Sequence, residues 1–369
     1  MESYINVDKN MIVNTTIGDA EVTWRDVRTE PFSLHGFHDP YHTPYFCRVP
    51  AEIAAATSDG VNKLSRESAG GRVRFSTNSP YIAIRAKFRV VGRSSHLTLI
   101  SSAGFDLYMD GEFGSRYVKE FRMPYDMTDT YEQIIRLEGS YMRSYTIHFP
   151  VHSVVERLEI GLAPDARLEA ARPYRDIAPI LFYGSSIVHG TAATRPGYTY
   201  PAIISRELNL DYRNLGFSGM AKGEPVLAEW MATLPTGIFV CDYDHNAPTV
   251  EHLEATHYPL YETVRAKNPD LPYIMITRPN YWTVIERRED NLRRRDVIMS
   301  SYLKARATGD KNVYFIDGMS FNIAPHQYEM YVDAVHPNDT GFVRMADGIG
   351  TVIRHILETE AEKKERKGN

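Results

Sequence analysis

The spacing of apolar residues changes character partway along the chain. From about Glu21 to Ala163 it alternates. Ile82, Ile84, Ala86, Phe88 and Val90 are separated by polar or small residues, as are Leu158, Ile160 and Leu162, and the shorter Val73-Arg74-Phe75. A period of two predicts strands with one buried and one wet face. Turn-forming clusters such as Ala69-Gly70-Gly71 and Asp110-Gly111 punctuate these runs. The pattern predicts an antiparallel β-sandwich of the jelly-roll kind.

After Pro173 the rhythm differs. Ile180-Leu181-Phe182-Tyr183 is apolar without alternation, as expected of a strand covered on both faces. Further strands are expected over Tyr212 to Leu215, Gly237 to Cys241, Tyr273 to Thr277 and Val313 to Ile316. Helical patterns separate them, over Tyr200 to Leu208, Glu224 to Leu234, His252 to Lys267 and Glu289 to Ala307, and Thr340 to Ala361 closes the chain. Strand and helix in turn predict βαβ units, a mainly parallel sheet and a three-layer α/β domain. Its ligands are expected beyond the carboxyl ends of the strands. The division falls near residues 164–174, between Pro164 and Pro173, giving an all-β domain over 1–170 and an α/β domain over 171–369. A chain of 369 residues has room for two cores.

Composition narrows the function classes. With 42 basic against 47 acidic side chains and a net charge of −5, a nucleic-acid partner is not expected. No run approaches the roughly 18 apolar residues of a membrane span, so no membrane partner is expected either. Met1 to Asn14 lacks the apolar stretch of a signal peptide, which favours a cytoplasmic location unless a leader has been removed, in which case the protein is secreted or periplasmic. The two cysteines, Cys47 and Cys241, make neither a disulfide framework nor a metal cluster. The scattered histidines show no ligand spacing, so neither metal nor cofactor is expected. The charged tail from Glu358 to Lys367 reads as a solvated helix end.

Four segments fall where strand ends should converge. Gly184-Ser185-Ser186-Ile187 follows the first strand of the α/β half. A serine at a strand-to-helix turn exposes its hydroxyl and turns its own N–H toward a substrate oxygen. Asp333-Ala334-Val335-His336 precedes the final helix. There a carboxylate fixes the imidazole tautomer and leaves the other ring nitrogen free to take a serine proton. A glycine in Asn214-Leu215-Gly216-Phe217-Ser218-Gly219 would offer an oxyanion its N–H, and Asn246, in Asp242-Tyr243-Asp244-His245-Asn246, an amide. Each segment alone also reads as an ordinary turn or solvated loop. At the fourth, Asp244 or His245 stands as the alternative to Asn246.

Together, Ser, Gly, Asn and Asp-x-x-His in this order resemble the SGNH hydrolases. Tyr183-Gly184-Ser185-Ser186-Ile187, Arg195-Pro196-Gly197 and Tyr200-Pro201-Ala202-Ile203 are similar to the Gly-Ser-Ser subgroup of GDSL-like acylhydrolases. Ala69-Gly70-Gly71-Arg72-Val73-Arg74-Phe75 and Gly104-Phe105-Asp106-Leu107-Tyr108 resemble the β-domain that precedes the catalytic domain in that subgroup. The resemblance implies a flavodoxin-like α/β domain and a serine esterase working through an acyl-enzyme. It implies Ser186 as nucleophile, His336 as base and Asp333 as orienting acid, with Ser186, Gly219 and Asn246 forming the oxyanion hole. Two departures stand out. Ser185 replaces the aspartate of the wider family, and no glycine precedes Asn246 in the manner of its Gly-x-Asn-Asp block.

The resemblance further implies a carbohydrate O-acetylesterase acting on an oligosaccharide or other small ester. A lipase or thioesterase, or a silent glycan-binding protein, are the alternatives. Trp282, in Arg278-Pro279-Asn280-Tyr281-Trp282, is the aromatic candidate for the pocket rim, with packing as its competing role. Activity is expected to fall in acid as His336 gains a proton.

Overall fold

The computed structural model describes residues 17–111, 114–279, 288–322 and 327–368. Trp282 lies outside them. The first half forms two antiparallel sheets. Its strands are β1 (Thr23–Asp26), β2 (Ser33–His35), β3 (Arg72–Thr77), β4 (Tyr81–Val90), β5 (Phe105–Gly111), β6 (Gly114–Phe121), β7 (Thr130–Arg136), β8 (Arg143–His148), β9 (Val154–Leu162) and β10 (Leu168–Glu169). One sheet runs β1-β9-β4-β7 and the other β10-β3-β8-β5-β6, with β2 added against β3. Ile82, Ile84, Ala86 and Phe88 of the first sheet share a core with Val73, Phe75, Leu107 and Ile147 of the second. The alternating residues thus supply the packed layer between two sheets.

Among the described residues three short helices interrupt this half: α1 (Ala51–Thr57), α2 (Asp59–Leu64) and α3 (Leu99–Ala103). The alternating pattern from Glu21 to Ala163 predicts strands throughout. The run Ala51-Glu52-Ile53-Ala54-Ala55-Ala56 is made largely of strong helix formers, and Ser58 then caps α2 by accepting from the Val61 N–H. Ala54 and Val61 do not join the sandwich core. They pack with Leu227, Ala228 and Met231 of the second half, so the chain before the expected division feeds the helical layer after it.

The second half carries β11 (Ile180–Gly184), β12 (Tyr212–Gly216), β13 (Ile238–Asp242), β14 (Tyr273–Ile276) and β15 (Val313–Ile316). All pairings are parallel, in the order β12-β11-β13-β14-β15. This is the flavodoxin order, with a switch point where β11 lies between β12 and β13. The helices are α4 (Ser186–His189), α5 (Tyr200–Leu208), α6 (Pro225–Met231), α7 (Val250–Lys267), α8 (Arg288–Ala307) and α9 (Asp339–Gly368). Alternate strand residues face opposite layers. Leu181, Tyr183, Phe239 and Cys241 pack toward α6 and α7, while Ile180, Phe182, Ile238 and Val240 pack toward α5 and α9. Burial on both faces accounts for the continuous apolar runs. Among the described residues no helix is long and apolar enough to cross a membrane. Cys47 and Cys241 are free and buried, and burial pushes the Cys241 thiol up to about 12.

The halves meet through buried arginines. All six residues of β3 are buried, including Arg72 and Arg74. Arg72 pairs with Asp211 and donates to the Tyr212 carbonyl at 3.0 Å. Arg48, 1 % exposed, donates to the carbonyls of Asn214 at 2.9 Å and Gly216 at 2.8 Å, at the end of β12. Asp106, from Gly104-Phe105-Asp106-Leu107-Tyr108, accepts from the Gly197 N–H at 2.9 Å. Burial, only partly offset by that bond and the nearby Arg206 and Arg195, pushes the Asp106 carboxyl up to about 7.

Candidate active site

Ser186 follows β11 directly and opens α4, so its hydroxyl stands above the carboxyl end of the sheet at the switch point. Packing leaves this turn little freedom. Ser186 is 7 % exposed, and Ile187 and Val188 are fully buried. The Ser185 hydroxyl accepts from the Ile187 N–H at 3.2 Å, and the Ser185 N–H donates to the Asp242 carbonyl at 3.1 Å. Beneath α4, a Cβ on Gly216 would lie 2.1 Å from the His189 nitrogen, so only glycine lets β12 pass so close.

The residues at 333–336 arrive from the opposite side. The Asp333 carboxylate closes a tight turn by accepting from the N–H groups of Val335 at 2.8 Å and His336 at 2.7 Å through Oδ1. Its Oδ2 lies 2.8 Å from His336 Nδ1. A carboxylate can only accept, so Nδ1 carries the proton and Nε2 presents a lone pair. Ser186 Oγ lies 2.8 Å from that Nε2 and donates to it. Burial acts against the Asp333 charge, but the imidazole and the two backbone N–H groups outweigh it and hold the carboxyl down at about 2. The structure therefore brings the Ser186 hydroxyl to the His336 imidazole, 150 residues further along the chain, with the Asp333 carboxylate behind the ring, an arrangement that suits transfer of the serine proton to the imidazole.

Gly219 and Asn246 reach the same cleft. Gly219 has φ +73°, a backbone state that favours glycine, with no atom within 4 Å of its would-be Cβ. Its need for glycine is conformational and not steric. Asn246 Nδ2 donates to the Phe217 carbonyl at 2.7 Å, which leaves one amide hydrogen free of that bond and ties the Asn246 loop to the Gly219 loop. Of the two alternatives at this block, Asp244 turns inward and is held by Arg278 and Arg294 at 3.1 and 3.4 Å. His245 lines the cleft beside Asn246, and burial together with the neighbouring Arg278 pushes its imidazole down to about 3.

The cleft has room for about 520 Å³, and one of its walls comes from the first half of the chain. Glu67, Arg93, Ser94, His96, Leu97 and His152 form that wall. The His96 ring lies 5.9 Å from the His336 ring. Sequence reasoning missed all six. No local period marks them, because they sit on turns and strand ends whose shared direction exists only after folding. Among the described residues two metal-capable groups border the cleft, Glu67 with His152 and His189, and His96 with Asp333 and His336, each with donor atoms within 4.8 Å. Asp333 and His336 are committed to each other, and Glu67 to both of its imidazoles.

Both halves of the chain match families of known proteins. Residues 178–354 match the GDSL-like Lipase/Acylhydrolase family, and residues 22–168 match the N-terminus of Esterase_SGNH_hydro-type. No curated protein matches the chain. Among solved structures, a candidate GDSL-like lipase from Bacteroides ovatus ATCC 8483 is similar, with 28% identity, a TM-score of 0.81, and 92% of this chain and 98% of that one covered. The salicylyl-acyltransferase SsfX3 from a tetracycline biosynthetic pathway shares the fold at 20% identity and a TM-score of 0.70, covering 89% and 95%. So does a family two carbohydrate esterase from Clostridium thermocellum in complex with cellohexaose, at 16% identity and a TM-score of 0.56, covering 79% and 94%. With two family matches that together run from residue 22 to residue 354, this chain belongs to the SGNH, or GDSL-like, acylhydrolases that carry a GxDLY-type N-terminal domain.

Proposed function

We propose that the protein is a serine esterase that removes short acyl groups, acetyl above all, from a carbohydrate. The contact between Ser186 and His336 at 2.8 Å, with Asp333 at 2.8 Å behind the imidazole, carries this reading. His336 Nε2 takes the Ser186 proton as Oγ attacks the ester carbonyl. The oxyanion is received by the N–H groups of Ser186 and Gly219 and the Asn246 amide, each donor worth about 3 kcal/mol of barrier. The protonated His336 then gives its proton to the leaving sugar oxygen, and the acyl group remains on Ser186. A water that yields its proton to His336 attacks the acyl-enzyme and releases the acid.

The walls of the cleft support a short acyl group and a polar acceptor. Arg93, Ser94, His96, His152 and Glu67 give it a polar rim, and the aliphatic side chains among its described lining residues are Leu97 and Val335. A long acyl chain would want an extended apolar channel. The fold is also shared with an esterase that was captured with a cello-oligosaccharide. In this reading residues 1–170 form a jelly-roll-like β-domain that walls the cleft, and residues 171–369 form the hydrolase domain.

Acetate release from a panel of acetylated oligosaccharides, beside a p-nitrophenyl ester series, tests the proposal. Turnover is expected to collapse beyond propionate or butyrate, and Ser186→Ala is expected to lose about 10⁴-fold or more in kcat. Wild-type turnover by Ser186→Ala on p-nitrophenyl acetate would sink the nucleophile assignment. A preference for octanoate would replace the deacetylase with a lipase.

A further inference from the structure

Beside the catalytic triad lies a second set of polar side chains, and it straddles the two halves of the molecule. Glu67 and His152 come from the β-rich half, while His189, Thr191 and Ser218 come from the hydrolase half. Glu67 Oε2 lies 3.1 Å from His152 Nδ1 and 3.1 Å from His189 Nε2. His152 Nε2 lies 3.0 Å from Thr191 Oγ1, Thr191 Oγ1 lies 3.3 Å from Ser218 Oγ, and Ser218 Oγ lies 3.1 Å from His189 Nδ1. Followed around, these contacts return to Glu67 and close a five-membered ring.

Chemistry fixes the direction of the bonds that matter. His189 Nε2 faces the Glu67 carboxylate and the Val151 carbonyl at 3.1 Å, both pure acceptors, so it carries the hydrogen. Burial first, and then His152 and Arg48, push the His189 imidazole down to about 3, which leaves Nδ1 as a lone pair. The Ser218 hydroxyl must therefore donate to His189 Nδ1. Burial opposes the charge on Glu67, but the two imidazoles hold the carboxyl below the usual range. The backbone beneath Glu67 is also secured. Arg48 Nε donates to the Glu67 carbonyl at 2.8 Å, and the same guanidinium holds the Gly216 carbonyl two residues before Ser218.

Ser218 is the neighbour of Gly219, which the proposed mechanism uses as an oxyanion donor. We propose that Glu67 and His152 are positioning residues for catalysis, acting through the ring to hold the Ser218-Gly219 loop where the Gly219 N–H meets the developing oxyanion. The β-rich half then contributes to the chemical step as well as to the shape of the cleft. A loop free to move by about 1 Å would forfeit up to about 100-fold in rate with little change in ground-state binding. The inference rests on the oxyanion reading of Gly219.

The experiment is steady-state kinetics of the full chain on p-nitrophenyl acetate, with thermal melts alongside. Glu67→Gln and Thr191→Val should each lower kcat about 10- to 100-fold with KM within about twofold, and Thr191→Ser, which restores the hydroxyl, should recover to within about threefold. Glu67→Gln introduced into Ser218→Ala should cost less than about threefold more, because the ring is already open. Folded Glu67→Gln and Thr191→Val proteins with wild-type kcat would overturn the proposal. So would losses that multiply in the double variant. Should Glu67→Gln fail to fold, the Thr191→Val and Thr191→Ser pair decides alone. Either failure would leave the dependence on Ser186 intact, so it would not be confused with failure of the esterase reading itself.

Discussion

The two sides of the proposed catalytic pair are held in opposite ways. Ser186 sits on a turn enclosed by core, flanked by the fully buried Ile187 and Val188. His336 and Asp333 sit on a surface loop, and 45% of the Asp333 side chain is exposed. That loop is shaped by hydrogen bonds: the Asp333 carboxylate on two N–H groups, Val332 N–H on the His336 carbonyl at 2.9 Å, and Asn338 N–H on the Met330 carbonyl at 2.9 Å. Ser186 is placed by the cost of leaving a packed site, His336 by a small set of polar contacts. Disturbing the first should cost stability together with activity, and disturbing the second should cost activity alone.

That contrast can be broken experimentally. His336→Ala should have the largest effect, a loss of about 10⁴-fold or more in kcat on p-nitrophenyl acetate with the melting temperature almost unmoved. Asp333→Ala should follow at about 10³- to 10⁴-fold, again with an unchanged melt, and a drop of many degrees would show that the loop bears on the fold after all. Ile187→Ala should do the reverse of these two. It should cost about 2–5 kcal/mol of stability, seen as a fall of several degrees in the melting temperature, with a smaller loss of kcat. The finest test is the acid limb of kcat/KM. Asp333 stays ionised down to about 2, so the carboxylate takes up no proton along that limb, which should have unit slope. A slope of two there would mean that the carboxylate titrates together with the imidazole.

The second half of the chain was readable because each of its signals is local. Parallel strands such as Ile180-Leu181-Phe182-Tyr183 are apolar on both faces, and Tyr200–Leu208 and Val313–Ile316 fall where the pattern puts them. The order of Ser186, Gly219, Asn246, Asp333 and His336 was readable because each follows the end of a strand or precedes the last helix. Other features depend on contacts across the molecule. Arg72 and Arg74 occupy positions where alternation predicts a wet face, and that face is instead the joint between the halves. Residues 51–64 read as part of a β-region, yet their helices belong to another layer. Glu67, His96 and His152 acquire their place only when the sandwich is laid against the strand ends.

The buried guanidinium of Arg48 has a consequence for anyone who would take this molecule apart. Split from the rest near residue 170, the α/β half would surrender the cation that four backbone carbonyls now surround, two of them at the rim of its own sheet. It would also bare the apolar patch that Ala54 and Val61 cover. Exchange of the front half for that of a relative should succeed only when the donor brings an arginine of the same reach and a helical cover of the same shape.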